Sequence, residues 1–414
     1  MLSHLSQRSI AKPPFSSVIS SWTHVQYALQ KVNKVFDVLW LDSERVLVVS
    51  KCSKLVLLNT STGKSISIPI KLFPVDHSQI HMANCGIYSL AVNPSKTLLA
   101  LGGSQQIGFV QLLSLPDLRH VCCLVGHTDT VFKIHFASDS GLFSVSRDKS
   151  LRAWDLSTVS TLVDQSDHLQ DDDSSRFLPI DSTSHSCIPS SIYLSQDKVR
   201  SMCQTSSPSN VATINSSGLL QLWDVSNALT PLHSIHVKNL DDVACIDYNP
   251  STSLLCIGSK RYVSIIDARS AQVVTHLTNC SRYYDTNFRS LCSLDHTLCS
   301  GDGYGQIRFT DLRTLQLIEW PAAPRLERQR SRNQFSSICP PTISTDSTQP
   351  PSIRSFLHPS PDIIDDLHFT ANLDQRSTQH AIYCLKFDPS NTRLFAAGGP
   401  LLVSTAGSYA GLWL

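Results

Sequence analysis

The sequence encodes an all-β protein built as a ring of seven four-stranded blades, and three observations lead there. Residues 126–156, GHTDTVFKIHFASDSGLFSVSRDKSLRAWDL, open on Gly126-His127 and close on Trp154-Asp155, with two apolar runs of strand length between them. Those two ends are the signature of a WD repeat. The closing dipeptide recurs at Trp223-Asp224, and short apolar runs separated by turn residues recur in groups of four along the chain. One blade cannot bury both of its faces, so it requires neighbours on each side, and the expected fold is a seven-bladed WD-repeat β-propeller.

The elements follow in order. Residues 1–31 mix serine, proline and a few apolar residues; the part around Val25-Gln26-Tyr27-Ala28-Leu29 reads as a strand that closes the ring or as a contact for an adaptor. From 32 to 414 the chain is propeller. Blade one carries VFDVLWL, RVLVVS, KLVLLN and SISIPI, blade two GIYSLAV, TLLALGG, IGFVQLL and HVCCLV. Blade three is the signature stretch, continued to about residue 163, where His127, Ser144, Asp148 and Trp154 resemble the buried hydrogen-bonded set that locks the strands and turn of a WD unit together. Residues 164–197 lack either structural period and read as an insertion loop. Blades four, five and six follow over 198–237, 242–278 and 287–320. Residues 321–378, rich in serine, proline, threonine and arginine, read as a second, disordered insertion. The last blade, 380–414, supplies only three strands. It needs a fourth, and the N-terminal segment is the donor, because closure removes an exposed sheet edge.

Composition narrows the function. There are 34 Lys and Arg against 33 Asp and Glu, so global charge predicts neither a nucleic-acid coat nor a membrane partner. The 13 cysteines lack paired CxxC spacing, which suits reduced thiols and a location in cytoplasm and nucleus. No run reaches the ~18 apolar residues of a membrane span. No Gly-rich phosphate loop, HExxH, nucleophile elbow or paired metal ligands occur, so the expectation is a protein that is not an enzyme, with no catalytic residues, no metal and no cofactor.

The repeats can be placed in register from their own residues. Counting back eight from the residue that ends the third strand reaches Arg147 from Asp155 and Lys51 from Asn59, both in the turn after the second strand. On the innermost strand Arg200 aligns with Arg289, and Lys198, two residues earlier, aligns with Lys34 once FDVLW is matched. In a propeller these slots open onto one face beside the central channel. Lys34, Lys51, Arg147, Lys198, Arg200 and Arg289 therefore converge on one rim, joined by Lys260. No matched carboxylate is expected there except Asp148, which the fold itself uses. Such a cluster suits a compact ligand with several carboxylates, which Arg grips bidentately and Lys attracts as a point charge.

The residues Asn33-Lys34-Val35-Phe36, Lys51-Cys52, Cys85-Gly86-Ile87, Asn93-Pro94-Ser95, Ser146-Arg147-Asp148, Lys198-Val199-Arg200 and the ending AAGGPL with YAGLWL carry a resemblance. The chain resembles the DDB-one- and cullin-four-associated factor twelve family, WD-repeat substrate receptors of cullin-RING ubiquitin ligases. The resemblance implies recognition of acidic C-terminal degrons, terminal Glu-Glu in particular, by Lys34, Lys51, Arg147, Lys198, Arg200 and Arg289 with Tyr88 beside them. It implies as partners the adaptor DDB-one, the cullin-RING scaffold and substrates with acidic C-termini. Adaptor-binding relatives carry a WDxR-like box; here Asp267 with Arg269 and Asp311 with Arg313 keep its Asp and Arg, while Ile266 and Thr310 replace its Trp. Family members also have a longer basic N-terminal extension with a helical adaptor-binding segment; here it is either shortened and altered around residues 17–29 or missing from the sequence. The alternatives are a WD-repeat scaffold or acidic-peptide reader outside any ligase, and a nucleic-acid binder using the same cations.

Overall fold

The computed structural model describes residues 15–72, 86–157, 159, 189–207, 210–224, 229–238, 240–278, 287–321, 353–354, 356–357, 380–401 and 406–414. Over these the chain forms seven antiparallel sheets in sequence order, each starting at its innermost strand, plus a small two-stranded pairing. The innermost strands are Val35–Trp40, Ile87–Val92, Val131–Phe136, Val199–Gln204, Cys245–Asn249, Phe288–Leu294 and His380–Phe387, and each touches the next around a closed circle. This is the seven-bladed β-propeller. Near-continuous apolar middle strands, such as Arg45–Ser50 and Leu55–Asn59 in blade one and Leu98–Gly103 in blade two, make both faces of these blades apolar, and the blades bury them against each other. Val38, Val46, Val48 and Leu58 of blade one, for instance, pack on Phe395, Ala397 and Leu412 of the last blade.

The ring closes through the N-terminus. His24–Gln26 pairs antiparallel with Tyr409–Trp413, matching His24 to Trp413 and Gln26 to Gly411, and so supplies the fourth strand of the last blade. The His24 ring lies 4.5 Å from the Trp413 ring, its Nε2 is 3.0 Å from the Tyr409 hydroxyl, and burial lowers its pKa to about 4. Tyr27 then ties the joint to blade one by donating its hydroxyl proton to the Thr60 carbonyl at 2.8 Å.

Three sequence expectations change. Residues 15–31 supply more than a strand, since Phe15–Ser21 is helical and packs Ile19 against Phe309, Leu394 and Trp413. Blade three takes its outer strand not from residues before 163 but from Ser191–Leu194, inside the stretch read as the 164–197 loop. That strand holds only four residues, too few for an alternation to stand out. The second insertion, 321–378, also returns to the sheets: Ile353–Arg354 pairs with Trp320–Pro321, and Phe356–Leu357 pairs with Ile307 and Arg308 in blade six. Leu357 is buried there. The remainder of both insertions lies outside the described residues.

In blade three His127 Nδ1 meets Asp148 Oδ2 at 2.7 Å and its Nε2 meets Ser144 Oγ at 2.6 Å, while Trp154 Nε1 donates to Ser144 Oγ at 2.8 Å. Blade four repeats the last bond, from Trp223 Nε1 to Thr213 Oγ1 at 2.8 Å. These polar groups are buried but satisfied, which fixes the blade without a desolvation penalty.

Candidate functional site

Six of the seven innermost strands carry a β-bulge at the same place, near their first residue. The register slips between Val35 and Asp37, Ile87 and Ser89, Val131 and Lys133, Val199 and Ser201, Phe288 and Ser290, and Ile382 and Cys384. A bulge takes one residue out of the ladder and re-aims its side chain. The residues taken out are Phe36, Tyr88, Phe132, Arg200, Arg289 and Tyr383. In blade five, counting back from the pair Cys245–Gly258 puts Ala244 in this slot.

These residues line one mouth of the channel as a connected arc. Phe36 stacks on Tyr88 with centroids 4.5 Å apart, and its other neighbour is Tyr383 at 5.5 Å. Tyr88 meets Phe132 edge-on at 6.0 Å, and the Arg200 guanidinium lies 4.5 Å over the Phe132 ring. Burial lowers the Arg200 pKa, the Asp242 carboxylate opposes that, and the charges of Arg289 and Arg147 push it down further. Arg289 in turn acts on the Tyr383 hydroxyl. One side of the mouth is therefore aromatic and the other cationic.

The sequence-derived residues fall into two groups. Arg147, Arg289 and Tyr88 each lie close enough for their charge to act on Arg200. Lys34 and Lys51 form a second group on blade one. The Lys51 N–H donates to the Lys34 carbonyl at 3.0 Å, and burial, then the Lys51 charge, lowers the Lys34 pKa to about 8. Lys34 holds a left-handed backbone, φ 38°, pinned by its N–H to the Gly407 carbonyl at 2.7 Å. Gly399 has to be glycine here, because a Cβ would come within 2.9 Å of Lys34 Cα. Lys198 is exposed two residues before Arg200, in the slot Lys34 takes in blade one. Lys260, by its count from Gly258, takes the slot of Lys51 and Arg147.

The expectation that the rim carries no matching carboxylate is wrong. Asp129 Oδ2 lies 3.5 Å from Arg147 Nε, and Asp242 Oδ2 lies 3.3 Å from an Arg289 terminal nitrogen. Both aspartates sit in the loops leading into innermost strands; Asp129 lies outside the positions that register counting compares, whereas Asp242 takes the slot of Lys34 and Lys198, which the counting did not extend to blade five. Phe36, Phe132 and Tyr383 were also missed, although aligning FDVLW with the Arg200 strand already puts Phe36 in the arginine slot.

The second pair of candidates lies elsewhere. Asp267 and Asp311 end the third strands of blades five and six, which run parallel to the innermost strands and so finish on the opposite face. Arg269 contacts Asp267 at 3.3 Å and Arg313 contacts Asp311 at 2.7 Å, with the arginine side chains 75% and 64% exposed. Each guanidinium is thus tethered within its own turn and presented to solvent. Among the described residues no group of His, Cys, Asp and Glu is arranged to hold a metal, no helix is long and apolar enough to cross a membrane, and the cysteines are free thiols.

Residues 21–414 match the family described as the DDB1- and CUL4-associated factor 12 beta propeller. The chain is also similar to a guanine nucleotide-binding protein subunit beta of Saccharomyces cerevisiae, 23% identical over 243 residues. That match covers 58% of this chain and 49% of the yeast protein, so the chain spans about half the length of the curated relative it matches.

Proposed function

Since the chain belongs to the DDB1- and CUL4-associated factor 12 β-propeller family, we propose that it is the substrate-recognition subunit of a cullin-four RING ubiquitin ligase and that it holds proteins by acidic C-termini, above all a terminal Glu-Glu. The observation that carries this reading is the grouping of Arg147, Arg200 and Arg289 at one channel mouth, facing an aromatic arc. A Glu-Glu terminus brings three carboxylates within a few ångströms, two from side chains and one from the chain end. Each charge-assisted hydrogen bond contributes ~1.5 to 3 kcal/mol where water is partly excluded. The aromatic wall does the excluding and lowers the local dielectric. Lys34, Lys51, Lys198 and Lys260 add field that draws an anionic tail in.

The receptor performs no chemistry. It holds the owner of the tail where the ligase can transfer ubiquitin, in cytoplasm or nucleus. The adaptor, DDB1, docks on the opposite face, where Arg269 and Arg313 are presented and where the Phe15–Ser21 helix packs beside Leu394 and Trp413. This division leaves the mouth open to substrate while the ligase holds the back of the ring.

Binding of a fluorescent peptide ending in Glu-Glu tests the reading. It is expected to bind, and amidation of its terminal carboxylate to weaken it by tenfold or more. Equal affinity for the amidated peptide would indicate a general acidic-peptide reader, and steeply salt-dependent binding of DNA or RNA instead would indicate a nucleic-acid protein. Copurification of the cullin-four adaptor separates a ligase receptor from a scaffold outside the ubiquitin system.

A further inference from the structure

Blade five departs from the rest of the mouth in two nearby slots. Where the other innermost strands present an aromatic ring or a guanidinium, it presents Ala244. Two positions earlier, in the slot of Lys34 and Lys198, stands Asp242. Ala244 brings neither a ring nor a charge to its slot between Arg200 and Arg289, and Asp242 acts on both. Its Oδ2 accepts a hydrogen bond from Arg289 at 3.3 Å, and its charge is the largest one favouring the Arg200 cation.

The surroundings hold this carboxylate in place. The Asp242 backbone is left-handed, φ 47°, which Asp tolerates better than most residues. On one side the Asp241 carbonyl accepts the Lys260 N–H at 2.8 Å, and on the other the Val243 carbonyl accepts Arg200 Nε at 3.1 Å. The Arg289 side chain is only 18% exposed, whereas that of Asp242 is 50% exposed. Arg289 Nε is buried with no hydrogen-bond acceptor, so Asp242 leaves part of the guanidinium's donor capacity unused.

We propose that Asp242 is a built-in counter-ion, occupying at the Arg200–Arg289 pair the position that a ligand carboxylate takes, and displaced when an acidic tail binds. This rests on the reading of the mouth as an acidic-tail site. Arg147 and Arg289 each repel Arg200, and Asp242 holds Arg200 and Arg289 together. A tail with neutral side chains brings only its chain-end carboxylate, too few charges to displace it, and finds the donors occupied. An acidic tail exchanges one carboxylate for another and engages the unused Nε as well, while the half-exposed Asp242 returns to water at little cost. Some affinity is given up, and tails without acidic side chains are rejected in return.

The test compares the full chain with its Asp242→Asn variant, using fluorescent peptides that end in Glu-Glu or Gln-Gln. Asp242→Asn is expected to tighten Glu-Glu binding about five-fold, the equivalent of ~1 kcal/mol for a partly exposed ion pair. It is also expected to make Gln-Gln binding measurable, and adding Arg289→Ala is expected to cancel the gain. Asp242→Ser is run in parallel, with melting curves for each protein, so that a folding defect in one variant does not decide the result. Weaker or unchanged Glu-Glu binding by folded Asp242 variants overturns the displacement while leaving the tail reading intact. Failure of the unsubstituted chain and both variants to bind either peptide overturns the tail reading, and the displacement with it.

Discussion

Replacing Arg200 by alanine separates a binding role from a structural one. In the folded protein the side chain contributes a cation–π contact with Phe132 at 4.5 Å and one hydrogen bond to the Val243 carbonyl. The first is worth ~0.5 to 1 kcal/mol at a partly exposed site, and the second is partly replaced by water. Removing the charge gives up the attraction of Asp242 but also relieves repulsion from Arg289 and Arg147 and the cost of burying the cation. The net loss of stability is therefore about 2 kcal/mol at most. At ~2.1 cal/mol/K per residue, the unfolding entropy of 414 residues is roughly 0.9 kcal/mol/K, so the melting temperature falls by about 2 °C. Binding suffers far more. A carboxylate gripped bidentately loses two charge-assisted bonds of ~1.5 to 3 kcal/mol each, and the Glu-Glu peptide is expected to weaken by about 100-fold or more. Fluorescence anisotropy and a thermal melt on the same preparation give both numbers. A fall of ~10 °C, or a loss of affinity under about five-fold, would show that Arg200 holds blades together and refute the assignment.

Other outcomes follow from the same geometry. Ser144→Ala leaves the Trp154 Nε1 donor and the His127 ring without their buried partner, so a loss of ~2 to 4 kcal/mol is expected in denaturant unfolding, with peptide affinity of the folded fraction unchanged. Deleting residues up to 26 exposes the edge of Tyr409–Trp413, and size-exclusion chromatography is expected to show association beyond that of the full chain. Burial lowers the pKa of His24, His120 and His135 to about 4, so the unfolded chain takes up protons first on acidification; the stability these rings contribute above about pH 6.5 is lost as pH falls towards 4. Melting temperatures measured across that window should decline, and His24→Gln should flatten the slope. Reversing both Arg269 and Arg313 to Glu is expected to abolish adaptor copurification while leaving peptide affinity within two-fold, because these residues lie on the face opposite the mouth.

Much of the architecture was legible before any coordinates. The period-2 runs from VFDVLW to YAGLWL mark the blades, and a last blade one strand short calls for closure by the N-terminus. Counting within repeats also puts Arg200 with Arg289, Lys34 with Lys198, and Lys51 with Arg147, because a bulge repeated in six blades preserves the offset. Local patterning failed where a segment is short or distant from its partner. Ser191–Leu194 and Phe356–Leu357 are strands because a neighbouring edge needs pairing, and nothing in four or two residues announces that. The Phe15–Ser21 helix likewise depends on Phe309 and Trp413, hundreds of residues away.

Alternation of side chains is a property of each strand by itself, and so the residues alone determined the blades, their order and the slots from which cations point. Which of those cations meet, and what opposes them, is a property of the closed circle. Tertiary structure decided that Arg147, Arg200 and Arg289 share one field, that Phe36, Tyr88, Phe132 and Tyr383 form the wall across from them, and that Asp129 and Asp242 lie against the arginines. Those aspartates stand in loops, and the direction of a loop side chain is fixed only when the neighbouring blade packs against it.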